Sequence, residues 1–97
     1  MTTTALSQRA RDILVEASRS EDGMVYLTTF LGNSFVAANH RSFGDGTSVS
    51  NSENTGAINE LLSYGLVTPE TESSSRQGYK LAAGGYMLAK ELEYSFQ

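Results

Sequence analysis

Apolar residues recur along this chain in two rhythms, one helical and one that alternates in the manner of a strand. Leu6, Ala10, Ile13, Leu14 and Ala17 fall at helical spacing, with Arg9, Asp12, Glu16 and Arg19 on the opposite side. That pattern predicts an amphipathic first helix of about three to four turns. Ser7 stands where an N-cap is expected, residues 1–4 read as a loose polar tail, and Asp22-Gly23 supplies a stop in which Gly23 can take a positive φ. Residues 24–30 are rich in β-branched and aromatic side chains and read as a strand. Gly32-Asn33 marks a turn, and residues 34–39 return as a second strand. A short helix over 35–43, stopped by Gly44, is the competing reading, since periodicity alone does not separate the two in so short a run. A turn dipeptide between two apolar runs favours the hairpin.

The second half is organised around the stretch from Ser50 to Leu81. A polar loop over 44–51 leads into Ser50-Asn51-Ser52-Glu53, which has the spacing of a capping box. The helix that follows presents Ala57, Ile58, Leu61 and Leu62 to a core and is closed by Gly65. Leu66-Val67-Thr68 reads as a short strand ended by Pro69, residues 70–77 as a loop, and residues 78–81 as the returning strand. A last helix runs over 83–94, with Gly85, Leu88, Ala89, Leu92 and Phe96 on its core side. Ala82 offers no capping hydroxyl and Gly84-Gly85 is a poor helix former, so an irregular start is expected there.

Asp22-Gly23-Met24-Val25, then Gly32, Phe35, Ala38 and Phe43, then Ala57, Leu61-Leu62 and Gly65-Leu66-Val67, and finally Tyr79, Leu81, Gly85-Tyr86, Leu88-Ala89 and Leu92 follow in a recognisable order. Together they resemble the winged helix-turn-helix modules of bacterial and phage proteins, over residues 6–92. The Leu-Leu-x-x-Gly-Leu-Val segment and the Gly-Tyr opening of the last helix carry most of the likeness. It implies one α+β, winged-helix-like domain over residues 1–97: three helices with a β-hairpin wing, in the order helix, β-hairpin, helix, strand, wing strand, helix. Two features depart from that pattern. Ala82 replaces a threonine that usually opens the last helix, and no second helix of a helix-turn-helix precedes the Ser50 helix. The resemblance implies either DNA reading or protein contact, and such modules often pair through their terminal helices.

Composition narrows the choice. Ninety-seven residues, 39% of them apolar, can fill one modest core. The absence of cysteine removes disulfides, zinc thiolates and thiol nucleophiles, and suits a reducing compartment. No apolar run approaches the ~18 residues of a membrane span, and MTTTALSQRARD lacks a signal-peptide core, so a cytoplasmic protein is expected. Seven basic residues against eleven acidic give a net charge of −4. That balance opposes duplex DNA, whose non-specific affinity comes from Lys and Arg displacing counterions.

The exposed face of the Ser50 helix holds Gly56, Asn59, Glu60 and Ser63, with Glu53 at its edge. Only Asn59 is a familiar base reader. With Arg41, Arg76 and Lys80 it makes the candidate set for sequence-specific DNA binding, the second reading. The first is protein contact. Tyr86, Met87, Lys90 and Tyr94 form a stripe on the last helix opposite its core side, and Gly56, Asn59 and Ser63 form a small-residue face. His40 has no paired acid at useful spacing, the serines at 73–75 lack a nucleophile elbow, and Gly44-Asp45-Gly46-Thr47 lacks the Gly-Lys-Thr/Ser end of a phosphate loop. Asp45, Glu53, Glu70 and Glu72 show no metal-ligand spacing. The expectation is a non-enzymatic regulator without cofactor, metal, membrane or small-molecule substrate. It acts by protein–protein contact, as a homodimer or with a protein partner.

Overall fold

Three helices lie on one face of a five-stranded antiparallel sheet. The computed structural model describes residues 6–73 and 75–95, with side chains described as far as residue 93. In chain order the elements are α1 (Gln8–Arg19), β1 (Met24–Phe30), β2 (Asn33–Ala38), β3 (Arg41–Phe43), α2 (Ser48–Ser63), β4 (Val67–Glu72), β5 (Arg76–Leu81) and α3 (Ala83–Ser95). The sheet order is β3-β2-β1-β5-β4, so β1 is central and both hairpins flank it. The α+β class stands as expected. The expected element order does not, because β3 intervenes between the first hairpin and α2. The residues 1–4 read as a tail, and Phe96, lie outside the described residues.

The register sorts the strand residues by face. Val25 pairs with Ala38 and Tyr79, and Leu27 with Val36 and Gln77. These positions look toward the helices. Val25, Val36, Ala38, Tyr79 and Leu81 are buried there with Ala10, Ile13, Leu14 and Ala17 of α1, Ala57, Ile58 and Leu61 of α2, and Ala89 of α3. α1 touches both α2 and α3 and so forms the middle of the helical layer. Ser7 caps α1 as its position predicts: its hydroxyl accepts from the Ala10 N–H at 3.2 Å.

Four sequence expectations are corrected. Residues 35–43 hold no helix. The chain turns at Asn39 and His40, both at positive φ (51° and 65°), and Arg41–Phe43 pairs with β2 as a third strand. α2 begins at Ser48, not Ser50. Thr47 is its cap, accepting from the Ser50 N–H at 3.1 Å while its own N–H and hydroxyl donate to Asp45. The capping box does not form, because Ser50 faces inward and is buried and Glu53 turns to Arg9. Pro69 does not end β4. This is an edge strand, where a missing N–H is tolerated, and a bulge between Pro69 and Thr71 absorbs it. Finally, α3 starts cleanly at Ala83. The Ala82 carbonyl accepts from the Gly85 and Tyr86 N–H groups, and the Ala82 N–H donates to the Leu66 carbonyl at 2.9 Å.

Two polar details hold the layers in place. Asn54 is fully buried on the same helical face as Ala57, Ile58 and Leu61. Its oxygen accepts from the Arg9 guanidinium, and its amide nitrogen donates to the carbonyls of Ser34 at 2.8 Å and Phe43 at 3.0 Å. Gly85 lies where α3 crosses the end of α2. A Cβ there would sit 2.3 Å from the Leu66 carbonyl oxygen, whereas one on Gly84 would meet only the tip of Leu66 at 4.0 Å.

Asn54→Ala should therefore lower unfolding free energy by about 3 kcal/mol, since it strands a guanidinium and two carbonyls in the interior. Asn59→Ala, on the exposed side of α2, should change it by less than about 0.5 kcal/mol. Urea titration measures both. The paired glycines should part in the same assay. Gly85→Ala destabilises by about 2 kcal/mol through overpacking against backbone, and Gly84→Ala stabilises by up to about 1 kcal/mol through helix propensity.

Candidate functional site

The second face of the sheet has no helix over it among the described residues. Register and alternation place Met24, Tyr26, Thr28 and Phe30 of β1, Phe35 and Ala37 of β2, Ser42 of β3, and Arg76, Gly78 and Lys80 of β5 on this side. Thr68 and Thr71 of β4 join them, opposite Lys80 and Gly78. An antiparallel sheet that meets water on one face normally alternates apolar-in, polar-out. Here β1 and β2 carry apolar groups on the outside as well. Phe30 is 64% exposed, and Met24, Tyr26, Phe35 and Ala37 are half-buried.

Tyr26 is the centre of this face. Its neighbours in the same row are Ala37 and Gly78, both small. Its ring lies across Gly78, where an added Cβ would come within 3.2 Å of a ring carbon. The Arg76 guanidinium sits over the ring, 4.1 Å from its centroid, a cation–π contact. Beside them is an open hollow of about 680 Å³ lined by Met24, Tyr26, Ala37 and Arg76, with Arg19, Asp22 and His40 on its rim. Thr28, Phe35 and Arg76 make the next row. The hairpin tip beyond carries Leu31, 83% exposed and at φ 51°, a backbone region that leucine rarely occupies.

The residues singled out from sequence separate onto different surfaces. Met87 on α3 is 67% exposed and Lys90 is exposed beside it. Tyr86 is 39% exposed, with its hydroxyl set against Gly23. The Tyr94 side chain lies outside the described residues. Gly56 is half-buried and Asn59 and Ser63 are exposed on α2. The Ser63 hydroxyl donates to the Glu60 carbonyl at 3.0 Å. The four residues of the DNA-reading set do not share a surface. Arg76 and Lys80 are on the open sheet face, and Asn59 is on a helix that covers the other face. Arg41 stacks on Phe43 at 4.7 Å and pairs with Glu16 at 3.2 Å. Glu53 and Glu60, read as exposed carboxylates, are tied inward to the Arg9 guanidinium (3.1 Å) and the Ser7 N–H (2.7 Å).

The open-face residues Met24, Tyr26, Phe30 and Phe35 were not singled out from sequence. The signal was present: β1 reads Met-Val-Tyr-Leu-Thr-Thr-Phe, apolar at both parities, which a one-sided sheet does not require. Among the described residues no three His, Asp or Glu side chains group to hold a metal ion. No helix among them is long and apolar enough to cross a membrane. Comparison with family models, curated proteins and solved structures returned no match.

Glu16 ties α1 to the β2–β3 turn. The Asn39 amide and the Arg41 guanidinium each donate to its carboxylate at 3.2 Å. The Asn39 hydrogen bond, then Arg41 and Arg19, hold its carboxyl below the usual 4.5 against a smaller opposing effect of burial. A lowered folded-state value means stabilisation that is complete above the unfolded value and lost as pH falls. Glu16→Gln should thus cost about 1 kcal/mol at neutral pH. Its stability deficit against wild type should shrink as pH drops below about 4.5, read from urea midpoints across acid pH.

Proposed function

We propose that the chain is a non-enzymatic interaction module that regulates by protein–protein contact, with self-association its simplest form. The observation that carries this reading is the run of apolar side chains on the outward positions of β1 and β2. An uncovered apolar sheet face rimmed by polar residues is what a protein-contact surface requires. Met87, standing free on α3 beside Tyr86 and Lys90, supports a second contact surface on the helical side. Gly56, Asn59 and Ser63 offer a less apolar one on α2.

The succession α2, β4, β5, a helix followed by a hairpin, supports a winged-helix-like reading of the second half. The five-stranded sheet and the inserted β3 set it apart from the expected pattern. Sequence-specific binding of duplex DNA has less support. Its cations are divided between two sides of the molecule, and the net charge is −4.

Wild type, Phe30→Glu and Met87→Glu should fold alike by circular dichroism and urea titration, because both side chains are mostly solvated. At least one substitution should strip proteins that co-purify with the wild type, or lower its mass by light scattering. The reading fails if both leave every association intact. It also fails if the chain instead binds duplex DNA in a salt-sensitive way that Arg76→Ala or Lys80→Ala abolishes.

A further inference from the structure

We infer that the open sheet face is occupied by a second copy of this chain, related by a two-fold axis that runs along β1. This rests on the interaction reading above and names its partner. Two properties of the face point to like pairing with like. The first is its division into halves. The aromatic groups Tyr26, Phe30 and Phe35 lie on β1 and β2, while the cations Arg76 and Lys80 lie on β5. No outward position in the paired register carries a carboxylate, although the chain as a whole is acidic.

The second property is the row structure. Phe35, Thr28 and Arg76 are in one row, and Ala37, Tyr26 and Gly78 in the next. A two-fold axis along β1 lays β5 of each copy over β2 of the other. Arg76 then meets Phe35 of the second copy and is held between that ring and its own Tyr26. Ala37 falls over Gly78, small against small, so the sheets can approach. An axis across the strands would instead stack β5 on β5 and set Arg76 and Lys80 against their own kind. Electrostatics therefore selects one of the two simple face-to-face pairings.

The size of the face sets the strength. Strands of this length, ~20 Å, at ~4.8 Å spacing give a patch of roughly 450 Å² in plan. That is at the small end for a stable interface, which takes ~800 Å² from each partner. The pair should be concentration-dependent. Single-stranded nucleic acid is the other occupant an aromatic and basic sheet can take. Two cations and a negative chain make it the weaker fit.

Light scattering and sedimentation of the full chain over a wide concentration range test this, with circular dichroism and urea titration as fold controls. The wild type should pass from monomer to dimer. Phe35→Arg sets a third cation against Arg76 of the second copy and should weaken the dimer at least tenfold. Phe35→Glu offers that guanidinium a carboxylate and should keep the dimer within a few-fold of wild type. Phe30→Arg, at a mostly solvated position in the same half, serves if Phe35→Arg does not fold, and should weaken the dimer too. A wild type that stays monomeric throughout overturns the inference, even where Phe30→Glu still strips another protein and the broader reading survives. So does a dimer that Phe35→Arg leaves unchanged, or one that Phe35→Arg and Phe35→Glu weaken equally. Binding of a single-stranded oligothymidine to the monomer, lost on Arg76→Ala, overturns it in favour of nucleic acid.

Discussion

Asn54 has no contact with solvent, and its amide holds three other elements at once. It accepts from Arg9 on α1 and donates to the main chain of β2 at Ser34 and of β3 at Phe43. In a low-dielectric interior each of these bonds is strong, and leaving any one unmade is expensive. An apolar side chain in this place could slide; an amide with three fixed partners cannot. β3 is three residues long and has few ladder bonds of its own, so the bond from Asn54 to its last residue helps to define the strand. α2 is thereby fixed against the first hairpin, all the helices are committed to one side, and the opposite side of the sheet is left as it is.

The same commitment distributes the charge. Glu53 pairs with Arg9, Glu93 with Arg19, and Glu16 with Arg41 and Arg19. Glu60 accepts the Ser7 N–H at the start of α1, where the positive end of the helix dipole favours an anion. Exposed pairs of this kind contribute about 1 kcal/mol or less each. Their larger effect is on layout. Four carboxylates and three arginines neutralise one another within or beside the helical layer, while Arg76 and Lys80 stand on the far face without a carboxylate in their rows. A net charge of −4 conceals this polarity, because a sum over the chain says nothing about sides.

Much of the fold could be read from sequence, and what escaped has physical causes. α1, β1 and α3 follow from periodicity, and Ala57, Ile58 and Leu61 are buried as their spacing requires. β3 escaped because its turn, Asn39-His40, contains no glycine, and because a three-residue strand leaves almost no period. The start of α2 was misplaced because two overlapping cap signals compete. Asp45-Gly46-Thr47 won, and Ser50 was needed inside. Asn54 was overlooked as one polar residue in a polar run, although it is three and four residues before Ala57 and Ile58 and so on their face. β4 ran past Pro69 because an edge strand does not need the bond that proline cannot make. As for the candidate site, Arg76 and Lys80 were named but not their shared face. The aromatics of β1 were read as strand formers, since a strand pattern does not say whether its second side will be covered.

The hairpin tip bears on what that second side is for. The β1–β2 turn places Leu31 and Gly32 at φ 51° and 79°. Two residues at positive φ are the signature of the tight turns in which Asn-Gly or Asp-Gly is preferred. Leucine in the left-handed region costs about 1 kcal/mol, and at 83% exposure it recovers nothing by packing within the monomer. The chain has the better solution at its other tight turn. There Asn39 takes the same φ, and its amide reaches Glu16. Leu31 is therefore not explained by folding. It extends the outward apolar row of β1 past Phe30 and off the end of the strand, so the uncovered surface continues onto a projecting tip. Strain without local return, placed at the margin of an apolar face, is what a surface shows when its packing is completed by another polypeptide.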